Sequence, residues 1–193
     1  NRDDRKTEDY QVLFMGKSGY GKSSTINALT GHNAMQTSDI EACTKDAFTV
    51  EYSLNAQKTR YLSFCDLPGI AESEKTDNEY LALYENMLYH CFCIVYVLRA
   101  DMRDYTRDLA LFREKLSPYR ARIVIAINCA DKAEPTSRES TDLTGEQIDN
   151  LERKRSSVSQ IFHMPKEQVI YYSARERINL DVLMHQIYNR MTI

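Results

Sequence analysis

Residues 10–29, with the sequence YQVLFMGKSGYGKSSTINAL, carry the pattern that most clearly indicates the fold class. The mostly apolar run Tyr10 to Met15 has the length of a buried strand, and Lys22 to about Leu29 is typical of a helix. Between them stands a complete G-x-x-x-x-G-K-S motif, Gly16-Lys17-Ser18-Gly19-Tyr20-Gly21-Lys22-Ser23. A strand that passes through a glycine loop into a helix is the setting that a phosphate-binding loop requires.

The residue types in this phosphate loop suit an anionic ligand. Its glycines let backbone N–H groups curl around a β-phosphate, and the helix N-terminus adds the positive end of its dipole. We expect Lys22 to neutralise the β- and γ-phosphates and the Ser23 hydroxyl to bind Mg²⁺. The predicted nucleotide-binding residues of this segment are Gly16, Ser18, Gly19, Tyr20, Gly21, Lys22, Ser23 and Ser24.

A second candidate segment, Asp66-Leu67-Pro68-Gly69, directly follows a predicted strand. We expect Asp66 to hold Mg²⁺ through a water molecule and the Gly69 N–H to reach a γ-phosphate. Aspartate and glycine are also common in ordinary turns, so this segment gains its meaning from the phosphate loop upstream.

Two later segments are suited to reading a base. In Asn128-Cys129-Ala130-Asp131, the Asp131 carboxylate can accept from N1–H and N2–H₂ of guanine, a donor edge that adenine lacks. We expect Asn128 to tie this loop to the phosphate loop, and the Ser173–Ala174 backbone to donate to guanine O6. A helix N-cap or a turn is the alternative interpretation of each segment.

Strand and helix patterns alternate along the chain. Six strands are predicted, at residues 10–15, 47–52, 60–65, 91–98, 122–128 and 168–172. With five intervening helices, this alternation predicts an α/β fold, a doubly wound and mostly parallel six-stranded sheet with helices on both faces. We expect a polar N-terminal segment over residues 1–9 and one domain over residues 10–193. Ligands of such sheets bind beyond the carboxyl ends of the strands.

Composition narrows the function classes. The net charge of −3 over 193 residues gives no basic surface for nucleic acid. No apolar stretch approaches the ~20 residues of a transmembrane helix. The five cysteines are odd in number and three lie in predicted buried strands, which disfavours a disulfide framework and favours a cytoplasmic location.

The motifs GKSGYGKSS, DLPG, NCAD and SAR stand in an order that resembles the P-loop GTPase superfamily over nearly the whole chain. The flanking text, including EACTKD and DLPGIAES, is most similar to the branch of Era-like, septin-like and immunity-associated GTPases, within it to bacterial proteins of the YfjP type. The resemblance implies GTP and GDP as ligands and Mg²⁺ as cofactor. It also implies that Thr44 closes over Mg²⁺ and the γ-phosphate, with Thr37 and Thr49 as alternatives. The implied catalytic residues are Lys22, Thr44 and Gly69.

The chain departs from the family pattern at three positions. Cys129 stands where a lysine usually lies along the base and braces the loop, so we expect weaker nucleotide affinity. Ile70 stands where many signalling GTPases carry a glutamine that orients water, and it cannot form a hydrogen bond. Gly19 replaces the asparagine that seats potassium in other branches.

These departures predict that the monomer hydrolyses GTP slowly, as a nucleotide-dependent switch. The missing help would come from a homodimer across the nucleotide face or from an activating protein, with Lys17, Arg99 and Arg103 as cations that could serve there. An ordinary solvated role is the alternative for each cation. The alternative function is a septin-like, nucleotide-gated assembly module with very slow hydrolysis.

Overall fold

The computed structural model describes residues 8–31, 48–67 and 74–191. Six strands form one sheet: β1 (Glu8–Met15), β2 (Phe48–Ser53), β3 (Arg60–Asp66), β4 (Cys93–Arg99), β5 (Ile123–Asn128) and β6 (Val169–Tyr171). Their order is β2-β3-β1-β4-β5-β6. All neighbours are parallel except β2 and β3, which pair antiparallel at one edge.

Five α-helices connect and cover the strands: α1 (Lys22–Thr30), α2 (Glu74–His90), α3 (Thr106–Leu111), α4 (Gly145–Phe162) and α5 (Leu180–Met191). The predicted fold class, a mostly parallel six-stranded sheet with five helices, is confirmed. No helix in the described ranges combines the length and the apolar character that a membrane span requires.

The central strands are buried on both faces. Every residue of β4 from Cys93 to Leu98, and of β5 from Ile123 to Ile127, is fully buried. This explains why both segments are continuous apolar runs rather than alternating patterns. Tyr96 and Phe162 each meet the ring of Phe112 edge-on, with centroids 4.8 and 4.9 Å away, and so pack α4 and the chain after α3 against the sheet.

The third helix differs from its prediction. The sequence predicted one helix through Leu109, Phe112 and Leu116 that ends at Pro118. Instead α3 ends at Leu111, a wider π-helical turn follows over residues 112–116, and a 3₁₀ helix then covers residues 117–122. Pro118 lies in the first turn of this 3₁₀ helix, where its missing N–H is tolerated, so it changes the type of helix instead of ending it.

The sheet topology brings the ends of five strands to one edge. Phe14 of β1 pairs with Asp66 on one side and with Val95 on the other, and Arg99 at the end of β4 pairs with Asn128 at the end of β5. Strand β1 has β3 on one side and β4 on the other, so the direction in which strands are added to the sheet reverses at β1. A crevice therefore opens at the carboxyl end of β1, the point where such folds bind ligands.

Candidate nucleotide site

The phosphate loop begins where β1 ends, and its glycines are required by close contacts. Gly16 has a φ of 138°, and a Cβ added there would lie 2.5 Å from the carbonyl oxygen of Val97. Gly21 has a φ of 92°, and a Cβ there would overlap the side-chain nitrogen of Asn128. The loop is thus pressed against β4 on one side and against the end of β5 on the other.

Helix α1 presents a free N-terminus to the crevice. No side chain in the described part of the chain caps it at Gly21, and its first turn holds no acidic residue. Lys22 is only 7% exposed, and its Nζ donates to the carbonyls of Gly16 at 3.0 Å and Lys17 at 3.2 Å. The arrangement holds an ammonium group and the N–H groups of a helix start together, which is a site for an anion.

A cleft of about 390 Å³ lies in front of this helix end. It is lined by Ser18, Gly19, Gly21, Lys22, Ser23, Ser24 and Asp66. Six of these residues belong to the predicted phosphate loop, and Asp66 comes from the end of β3. The structure therefore brings six of the predicted phosphate-loop residues to one cleft with Asp66, so that two of the three predicted metal residues, Ser23 and Asp66, lie together.

Ser23 and Asp66 form a donor set that fits Mg²⁺. The Ser23 hydroxyl donates to Oδ2 of Asp66, whereas Oδ1 is buried and has no hydrogen-bond partner among the described residues. A hydroxyl, a carboxylate and an unsatisfied buried oxygen are suited to a hard cation. Mg²⁺ usually keeps several water ligands and binds phosphate oxygens beside one or two protein groups, so a site of this kind needs few side chains.

The buried Asn128 side chain joins three segments. Its Nδ2 donates to the Tyr20 carbonyl at 3.0 Å, and its Oδ1 accepts from the Ala174 N–H at 3.1 Å. The link from Asn128 to the phosphate loop that the sequence predicted is therefore present. The same amide also fixes the segment after β6, so one side chain connects all three loops.

Asp131 is half-buried beside this junction. Its Oδ1 accepts from the Ser173 hydroxyl at 2.6 Å, and that hydroxyl oxygen in turn accepts from the Glu176 N–H at 3.0 Å. The carboxylate is thereby oriented and keeps Oδ2 and further lone pairs for a ligand. This geometry suits the bidentate acceptance that guanine requires.

The expected donors to guanine O6 have protein partners. The Ser173 N–H donates to the Ile178 carbonyl at 3.0 Å, and the Ala174 N–H is engaged by Asn128. Donation from the Ser173–Ala174 backbone to guanine O6 therefore stays a prediction, and it would use N–H groups that already have protein acceptors. Guanine O6 would share the Ala174 N–H or take that of Arg175, for which no acceptor occurs among the described residues.

Lys17 is drawn into the protein by a buried carboxylate on α3. Its Nζ lies 3.4 Å from Oδ2 of the fully buried Asp108, whose Oδ1 accepts from the Tyr96 hydroxyl at 2.8 Å. Burial raises the pKa of Asp108, opposed by the Tyr96 hydrogen bond and the Lys17 charge. Burial alone would lower the pKa of Lys17, but the charges and hydrogen bonds of Asp108 and Tyr20 together outweigh it, and the pKa is raised. Lys17 and Asp108 thus support the phosphate loop from the protein interior.

Arg99 and Arg103 differ in their contacts. Arg99 donates through Nε and Nη2 to the two oxygens of Asp101 at 2.9 and 2.7 Å, and through Nη1 to the Gly19 carbonyl at 3.3 Å. Arg103 is exposed and has no hydrogen bond or ion pair within the described part of the chain. Of the three cations named from the sequence, Arg103 alone stays available to a ligand or partner.

Several sequence predictions lie outside the described residues, namely Thr44, Gly69, Thr37 and Ile70. The remaining alternative threonine, Thr49, is buried in β2 and its hydroxyl donates to Sγ of Cys65 at 3.4 Å. The Thr49 hydroxyl is therefore engaged in a contact between β2 and β3.

Sequence reasoning missed Asp108. A signal was present, because this acidic residue precedes Phe112 by one helical turn on a predicted apolar face. An acidic side chain on such a face needs a buried partner, and Lys17 supplies it.

The comparisons with known proteins bear on the family and the fold of the chain. The model of the family described as 50S ribosome-binding GTPase matches residues 11–129. YfjP of Escherichia coli strain K12 is 34% identical over 177 residues, which are 91% of this chain and 60% of YfjP. The chain thus spans about three fifths of this relative.

Two solved structures share the fold. Era of Aquifex aeolicus, bound to GDP·AlF4⁻, superposes with a TM-score of 0.68 at 20% identity, covering 95% of this chain and 57% of Era. A structure from work on the chloroplast translocon components atToc33 and psToc159, for whose GTPase activity dimerization is important, gives a TM-score of 0.62 at 18% identity. That superposition covers 95% of this chain and 83% of the translocon chain.

Proposed function

Because this chain belongs to the 50S ribosome-binding GTPase family, we propose that it is a Mg²⁺-dependent GTP switch whose reaction takes place in the cleft between Lys22 and Asp66. The observation that carries the proposal is the pairing of the Ser23 hydroxyl with Asp66 directly beside the free end of α1. Phosphates, a cation and the Lys22 ammonium would meet there, and the direct hydrogen bond between Ser23 and Asp66 would open to admit the cation.

The roles of the residues follow from their chemistry. The N–H groups of α1 and the Lys22 ammonium bind the β- and γ-phosphates and neutralise charge that develops during transfer to water. Ser23 and Asp66 hold Mg²⁺, which supplies further positive charge at the phosphate oxygens. Thr44 and Gly69 are proposed to close over the γ-phosphate, which makes the segments around them report which nucleotide is bound.

Base selectivity is proposed to come from Asp131. Its carboxylate is oriented by Ser173, and it can accept from both donors on the guanine edge. ATP presents no such pair, so the half-buried Asp131 carboxylate would remain unmatched beneath the base. We expect discrimination against ATP of at least about 2 kcal/mol.

The substitution Asp131→Asn tests this assignment. An amide replaces one acceptor with a donor, which mismatches the guanine N2 amino group and matches the O2 carbonyl of xanthine. The variant is expected to lose affinity for GDP and to gain it for xanthosine diphosphate, measured by competition against a labelled nucleotide. The control is Asp149→Asn on the exposed face of α4. Equal competition by GDP and ADP in the unsubstituted protein would overturn the base assignment.

Self-association across the nucleotide face, as a source of the missing catalytic help, has one specific observation in its favour. Dimerization is important for GTPase activity in atToc33 and psToc159, the translocon components whose fold this chain shares. In this chain Lys17 and Arg99 are already paired within the protomer, whereas Arg103 is exposed. Arg103 of a second copy is therefore the proposed cation for the nucleotide face.

A further inference from the structure

We propose that Arg99 is a positioning residue that braces the base-reading loop against the phosphate loop. The inference rests on the proposed function, because it assumes that guanine nucleotides bind between these loops. The Cys129 side chain is too short to brace the base-reading loop as a lysine would. Arg99, at the end of β4, would brace the loop instead.

The position of Arg99 follows from strand pairing. It is the last residue of β4 and pairs with Asn128, the last residue of β5. The next backbone N–H, that of Ala100, donates to the Asn128 carbonyl at 2.8 Å. The backbone that carries Arg99 is thus fixed to the start of the base-reading loop.

The guanidinium group makes the second connection. Its Nη1 donates to the carbonyl of Gly19, in the phosphate loop, at 3.3 Å. Asn128 reaches the carbonyl of the following residue, Tyr20, at 3.0 Å. Two adjacent phosphate-loop carbonyls are therefore held from the ends of two adjacent strands.

Asp101 makes this connection rigid. It accepts two hydrogen bonds from Arg99, at 2.9 and 2.7 Å, in the bidentate arrangement that fixes a guanidinium plane. A flexible surface arginine would contribute little, whereas a planar group held at both edges loses less entropy when it binds a carbonyl.

Cys129 lies within the electrostatic reach of Arg99. Burial raises the pKa of the Cys129 thiol, and the positive charge of Arg99 opposes that rise. Cys129 also has a left-handed backbone, with a φ of 61°, directly after Asn128. A lysine at position 129 would place its ammonium group close to the position that the Arg99 guanidinium group occupies.

The test is a double-mutant cycle on GDP binding with Arg99→Ala, Cys129→Lys and the double variant. We expect Arg99→Ala to raise the GDP Kd about tenfold, mainly through faster dissociation, because a charge-assisted hydrogen bond is lost. The melting temperature of the nucleotide-free protein is expected to stay unchanged. Cys129→Lys should restore affinity in the Arg99→Ala background. It should do little alone, because Arg99 already braces the loop and so offsets the loss of affinity that the sequence predicted for Cys129. Arg99→Lys, which keeps the charge without the fork, should fall between.

Arg153→Ala, which removes an exposed charge from α4, serves as the matched control. The proposal is overturned if Arg99→Ala binds GDP as tightly as the unsubstituted protein. It also fails if Cys129→Lys changes affinity equally in both backgrounds, because the two sites are then uncoupled. Failure of the unsubstituted protein itself to bind GDP would instead overturn the proposed function.

Discussion

At the scale of single residues, the ion pair of Lys17 and Asp108 places a negative charge away from solvent. Asp108 is fully buried, and its carboxylate is compensated by the Lys17 ammonium and the Tyr96 hydroxyl. The net contribution of such a pair to stability is small, but removal of one partner leaves the other charge buried and uncompensated, which is strongly destabilising.

We predict that Lys17→Met lowers the free energy of unfolding by about 2 kcal/mol at neutral pH, because it takes the cation away from a buried carboxylate. The pKa of Asp108, already raised by burial, rises further when the lysine is lost. The folded variant then binds a proton more tightly than the unfolded chain. The destabilisation is therefore full above the raised pKa and is relieved as the pH falls through it towards ~3.9.

Urea unfolding across this pH range measures the effect. Lys17→Met combined with Asp108→Asn is the control, since the pair then carries no charge and the added pH dependence should vanish. A destabilisation of Lys17→Met that is constant with pH would show that Asp108 is not the affected group.

At the scale of elements, the end of α4 offers a stabilising substitution. His163 terminates this helix with a left-handed backbone, at a φ of 50°, while its N–H donates to the Gln160 carbonyl. Glycine adopts this conformation without steric cost. We predict that His163→Gly raises the free energy of unfolding by about 0.5–1 kcal/mol.

The bond from Arg120 to the His163 carbonyl involves the backbone and would survive the change. His163→Ala, measured by the same urea titration, keeps the unfavourable φ and should give no gain. A loss of stability in His163→Gly would indicate that the imidazole ring itself contributes.

Elements were predictable where one pattern dominated. The apolar runs of β1, β4 and β5 identified the central strands, because burial on both faces leaves no polar alternation to misread. The region after α3 was not predictable in detail. Pro118 removes an N–H that a continuing α-helix would need, but the sequence does not say whether the helix ends there or changes type.

The candidate site was predictable in its parts more than in their connections. Motif residues after successive strands share one edge because the sheet is parallel, and the cleft brings Lys22, Ser23 and Asp66 together. The contacts of Arg99 with Gly19 and of Lys17 with Asp108 depend on side-chain directions between distant segments. A local sequence pattern does not predict the side-chain directions that join distant segments.

At the scale of the whole molecule, the exposed cation at Arg103 gives a test of self-association. We predict that the chain dimerises with a non-hydrolysable GTP analogue and is monomeric with GDP, as judged by sedimentation. Turnover per molecule should then rise with protein concentration, because a second copy would supply positive charge to the phosphates.

Arg103→Ala is expected to abolish the concentration dependence and leave single-site nucleotide affinity intact, with Arg153→Ala as the control. A chain that stays monomeric in both states at protein concentrations well above those of the binding assays, with turnover independent of concentration, would exclude self-activation. An activating protein would then be required.

The Asn128 amide bonds to both Tyr20 and Ala174, so the site is complete only when segments far apart in the sequence are both present. During translation the phosphate loop leaves the ribosome well before Ala174, whose segment completes the base-reading loop. A nascent chain therefore carries the nucleotide motif long before it can hold a nucleotide at both ends. Nucleotide capture would act as a signal that the whole sheet has folded, and it would stabilise only chains that have reached that stage.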